Sequence, residues 1–104
     1  MSKANYRSKC YFQLMEIFNI SMTPYDSGSM RMRAKKVYTL LQNEIATVQI
    51  YTHEQEVFFR ARVFGIIDCA HSLELIHRRE QLMLKEFFDN FSFFKADEGE
   101  LQED

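Results

Sequence analysis

Apolar residues recur along this chain at helical spacing. Tyr6, Cys10, Leu14, Ile17 and Phe18 follow the i, i+4, i+7 rhythm of an amphipathic helix and predict one over roughly residues 5–19. The chain then enters ISMTPYDSGS, which holds its only proline and one of its three glycines, so residues 20–28 read as a loop. Ser27 or Ser29 is placed to cap a second helix. Met30, Ala34, Val37, Leu41, Ile45 and Val48 carry that helix to at least Asn43, with Arg31, Arg33, Lys35, Lys36, Gln42 and Asn43 mostly off the stripe. Beyond it, Ile45, Thr47, Val48, Ile50 and Tyr51 are β-branched or aromatic and suit a short strand as well as a helix. Periodicity, and the lack of any second strand to pair with, favour helix.

Thr52 followed by Gln55 and Glu56 is a capping-box arrangement and predicts the start of a third helix. On a helical wheel His53, Glu56, Arg60 and His71 share a narrow polar stripe, with Asp68 at its margin, and nearly everything else is apolar, so the helix is expected at the centre of a bundle. Leu73, Ile76, Met83, Phe87 and Phe91, with Leu84 and Phe88 widening the stripe, form a last periodic series. A break near Ala70–Ser72 gives a four-helix bundle. Without one, a helix of about 40 residues would demand dimerisation. From Ser29 to Phe94 there is no proline and one glycine, Gly65, so almost nothing stops helices. The expected fold is all-α, a compact and dimeric bundle of three to four helices, with one domain over residues 1–95 and a disordered acidic tail over 96–104.

Charge adds a polarity to this picture. Residues 1–50 carry seven Lys/Arg against three acids, and residues 51–104 carry six against twelve. Antiparallel or head-to-tail self-association is one consequence; a basic surface that seeks an anion is another. Two cysteines, Cys10 and Cys69, are too few for a disulfide framework or a zinc cluster, and no stretch is long and apolar enough for a signal peptide or a membrane span. A reduced, cytoplasmic protein is expected.

Candidate chemistry is sparse. Arg62 projects into the apolar arc of the third helix and needs an internal carboxylate, a partner's carboxylate or phosphate, or a route to solvent. Asp68-x-x-His71 and Glu74-x-x-His77 have the spacing of di-iron ligands but sit on the same stretch, so no metal or other cofactor is expected. Cys69 and His71 diverge on a helix and cannot act as thiolate and base, and there is no phosphate loop, so the chain is not expected to be an enzyme.

Ala70-His71-Ser72-Leu73 resembles the surroundings of the phosphorylated histidine in histidine-containing phosphotransfer domains, which are also small helical bundles. The resemblance implies His71 as a phosphoacceptor. The family's motif continues with Lys and Gly where this chain has Glu74 and Leu75. Arg31, Arg33, Lys35 and Lys36, just after Ser27 and Ser29, combine cations with a helix N-terminus and could contact phosphate or nucleic acid, with Arg7 and Lys9 as additions. The main expectation is a non-enzymatic regulatory or adaptor protein that self-associates or binds a partner protein. Phe87, Phe88, Phe91 and Phe94, with Phe93 beside them and Arg62, are its expected interface, because they supply more aromatic surface than one helix face can hide.

Overall fold

Four helices in up-down-up-down order make up the structure, a computed structural model that describes residues 3–22 and 28–92. They are α1 (Lys3–Met22), α2 (Gly28–Thr47), α3 (His53–Ser72) and α4 (Arg78–Asp89), and among the described residues there is no strand. Each helix contributes one stripe to a shared core. Cys10, Leu14 and Phe18 come from α1, Ala34, Val37, Tyr38, Leu41 and Ile45 from α2, Phe59, Val63, Ile67 and Ala70 from α3, and Leu84 and Phe88 from α4. Spacings of three and four residues put each set on one helix face, so the core follows directly from the periodicity.

The helix ends show where sequence signals suffice and where they do not. The capping box at Thr52 forms: its hydroxyl accepts from Gln55 N at 3.1 Å, and Gln55 Oε1 accepts from Thr52 N at 3.2 Å and from Tyr51 N at 2.7 Å. α2 stops at Thr47, and residues 48–51 are neither helix nor strand. Ile50 turns inward there to close the end of the core. Arg7 of α1 donates to the carbonyls of Ile45 and Val48, at 2.8 Å in the latter case, so its charge meets the negative end of α2. Ser29 lies inside the first turn of α2 instead of capping it, while Ser27 is outside the described residues.

The third and fourth helices are separate, and the break is built without Gly or Pro. Glu74 takes a left-handed conformation with φ 61°. Its N–H donates to His71 O at 3.0 Å and Leu75 N–H donates to Ala70 O at 2.9 Å, the paired bonds of a Schellman motif. Neither Ser72 nor any residue near it caps α4. That helix begins four residues after Glu74, at Arg78, with His77 at its N-cap making no side-chain capping bond.

Each helix is antiparallel to its neighbours. Tyr6 at the start of α1 stacks on Phe91 beyond the end of α4, with ring centroids 5.5 Å apart, and its hydroxyl accepts from Ser92 N. Arg60 of α3 reaches the other way, donating from Nε to Phe88 O and from Nη2 to Phe91 O, each at 3.2 Å. α2 and α3 are the least closely packed neighbours among the described helices, and the gap between them opens an apolar groove on the surface.

Candidate functional site

That gap is a groove of about 460 Å³ lined by Val37 and Leu40 of α2, Arg62, Gly65, Ile66, Cys69 and Ala70 of α3, and Leu73 and Leu75 from the turn that follows. Its walls come from helix geometry. On α2, Val37 and Leu40 are three apart and Glu44 lies one turn further; on α3, Arg62, Gly65, Ile66, Cys69 and Leu73 repeat at three and four. The Schellman turn folds Leu75 back against Ala70, so the helix break itself supplies part of the apolar lining. Leu40 is exposed, Leu73 is 63 % exposed and Cys69 is exposed, so this apolar surface is left to solvent or to a partner.

Arg62 is not buried in the apolar arc, as its wheel position predicts. Its side chain is 68 % exposed and holds Glu44 through two bonds of 3.0 Å, from Nε and Nη2, across the mouth of the groove. The reason is that Glu56, Arg60 and Asp68 of the apparent polar stripe turn toward α4. Glu56 is buried and accepts from Ser92 Oγ at 3.1 Å, Arg60 covers the end of α4, and Asp68 is tied to α4 by Lys85 Nζ at 2.9 Å and by Gln81 Nε2 at 2.8 Å. The Lys85 ammonium, then the Gln81 amide, hold the Asp68 carboxyl below the usual carboxylate range. With these polar groups turned toward α4, Phe58, Ala61, Arg62, Gly65 and Cys69 are left on the outside.

The aromatic expectation needs a matching correction. Phe88 and Phe91 are buried, packed with Phe59 at 6.2 and 5.2 Å between ring centroids, and Phe87 is half-buried edge-on to Phe88 at 4.9 Å. They belong to the core because α3, Tyr6 and the Arg60 stem close over them. Phe93 and Phe94 lie outside the described residues. Among the described residues the exposed aromatics are instead Phe12, Tyr51 and Phe58.

A second, polar pocket of about 260 Å³ lies between the start of α2 and the α3–α4 connection, lined by Met30, Arg33, His71, Glu74, His77, Arg78 and Glu80 among others. It brings together Arg33 and His71, which belong to two different sequence readings. Beneath it, Glu80 is fully buried. Its Oε2 accepts from the Tyr38 hydroxyl at 2.6 Å, while Oε1 has no hydrogen-bond partner and lies 3.8 Å from His77 Nε2. Burial raises the Glu80 carboxyl above the ordinary glutamate range, against the pull of Tyr38 and His77, and burial and the Glu80 charge push the Tyr38 phenol up as well.

The basic segment is divided. Arg31, Arg33, Lys35 and Lys36 are all exposed, but Arg31 turns back over the Phe18 ring at 6.0 Å, Arg33 lines the polar pocket, and Arg7 is engaged at the opposite end of α2. His71 is half-buried in the last turn of α3, not in the middle of a bundle helix. Burial raises the Cys10 thiol to about 11, so it remains protonated at neutral pH inside the core. Among the described residues no three or more His, Cys, Asp or Glu are grouped to hold a metal ion, and no helix is long and apolar enough to cross a membrane. No family model, curated protein or solved structure matches the chain.

Proposed function

We propose that this is a small regulatory or adaptor protein, without catalytic chemistry of its own, that acts by docking a protein helix in the α2/α3 groove. The observation that carries the reading is the groove itself. It is open, almost wholly apolar along its length, and continuous with exposed Leu40 and Leu73. Exposed apolar surface gathered in one concavity, unlike single scattered residues, is the physical mark of a docking site. A helix with an aromatic or aliphatic ridge has the matching shape, because anchors at i, i+3 or i+4, and i+7 follow the groove's own helical walls. The polar pocket offers less, since its one buried acid already holds a tyrosine.

The test is site-specific photocrosslinking in the cells that make the protein. A photoreactive residue at Leu40 or Leu73 should yield discrete protein adducts that disappear when Cys69→Arg fills the groove. The same residue at Glu86, exposed on α4, should not yield them. Equal labelling from Glu86, or no protein adduct from Leu40 and Leu73, would overturn the reading.

A further inference from the structure

We propose that the groove's occupant is a second copy of this chain, docked about a two-fold axis at Gly65 and Ile66 so that the two α3 helices run antiparallel and each Phe58 enters the other copy's groove. This rests on the reading of the groove as a protein-docking site. A two-fold interface must be self-complementary: the same patch has to carry both the projection and the hollow it fills. The outer face of α3 does so. Phe58 stands 67 % exposed at one end of the face, and Leu73 closes the groove at the other. Phe58 lies seven residues before Gly65 and Leu73 lies seven after Ile66. With about 1.5 Å of rise per residue, antiparallel pairing about that midpoint sets Phe58 of one copy against Leu73, Leu75, Val37 and Leu40 of the other.

The midpoint is shaped for contact. A Cβ built on Gly65 would meet no atom within 4 Å, so the space above this backbone is empty in the single chain. Exposed Ala61 and Cys69, one turn to either side, are also small, and two helices can approach closely there. Arg62 and Glu44 enter the contact already paired, so closing it strands no charge at this point.

Charge sets the direction. Glu54 in the first turn of α3 is exposed on the same face, beyond Phe58. Arg33 and Arg78 are exposed beyond Leu73, where the groove opens toward the polar pocket, and no carboxylate holds either in an ion pair among the described residues. Antiparallel docking brings Glu54 of one copy to this basic end of the other; parallel docking would put Glu54 beside Glu54. A contact about 30 Å long and about 20 Å wide covers about 600 Å² on each copy, at the low end for a specific dimer, so the association is reversible and concentration-dependent.

Sedimentation and light scattering over a concentration series test this on the full chain. Wild type should pass from monomer to dimer, and Phe58→Asp should weaken dimerisation at least tenfold. Gly65→Leu should do the same while unfolding no earlier than wild type, because the monomer has room for the side chain. Glu54→Arg should weaken association, and adding Arg33→Glu should restore it. A wild type that stays monomeric at every soluble concentration, or a Gly65→Leu protein that dimerises like wild type, would overturn the proposal. Photoadducts from Leu73 distinguish this failure from that of the docking reading. An adduct at twice the 12.5 kDa of one chain is the second copy. Groove-specific adducts only of other masses keep the docking reading and reject the second copy, and no adduct rejects both.

Discussion

Replacing Glu80 by glutamine isolates one buried proton. The carboxyl is fully buried and accepts one short bond from Tyr38, while its other oxygen faces His77 without a hydrogen bond. Its proton affinity is therefore higher in the folded than in the unfolded chain. For such an acid the folded state binds more protons between the two pKa values, so stability is fully present below the unfolded value near about 4.3 and falls as pH rises toward the folded one. The slope can reach about 1.4 kcal/mol per pH unit for one proton and levels off above the folded pKa. The glutamine keeps the shape and an oxygen for Tyr38 but has no proton to lose. Urea unfolding followed by far-ultraviolet circular dichroism, for wild type and Glu80→Gln from about pH 4 to about pH 8, gives the difference directly. Groups that do not touch Glu80, including Asp68 with its opposite pH dependence, cancel in that difference. The variant should gain on wild type as pH rises from the acid end. A flat difference would show that burial does not hold the proton on Glu80. A difference of opposite sign would show an ionised Glu80 paired with His77.

Two further changes probe the elements that frame the groove. Glu74→Gly should stabilise the chain by about 0.5–1 kcal/mol in thermal or urea unfolding, because a left-handed residue at φ 61° costs a non-glycine residue what glycine avoids; loss of stability would mean that the Glu74 side chain contributes more than the backbone conformation costs. Arg60→Leu should destabilise by about 2–3 kcal/mol, since it keeps the apolar stem but leaves the Phe88 and Phe91 carbonyls without their charged donor, and hydrogen exchange should show the amides of residues 88–92 losing protection first.

Helical content and the core faces of α1 and α2 were legible in the chain, because 3.6-residue periodicity reports directly which residues share a face, whereas the number of helices stayed open between three and four. The capping box at Thr52 was equally legible, since a cap is a contact among four consecutive residues. The end of α3 was not, because a left-handed glutamate carries no local signal comparable to glycine. Hydropathy also misassigns part of α3, although Phe59, Val63, Ile67 and Ala70 are buried as apolar residues should be. The helix carries Glu56 and Arg60 on one side and Phe58, Gly65 and Cys69 on another, and hydropathy assigns the charges to solvent. The tertiary fold reverses this because Ser92 and the backbone carbonyls at the end of α4 satisfy Glu56 and Arg60 inside. Those partners lie 28 to 36 residues away, beyond the reach of any local pattern. Composition and periodicity alone therefore determined a helical bundle with surplus apolar surface. Only packing decided that part of the surplus stays on the Phe58 and groove face of α3, while the C-terminal phenylalanines Phe88 and Phe91 fold into the core.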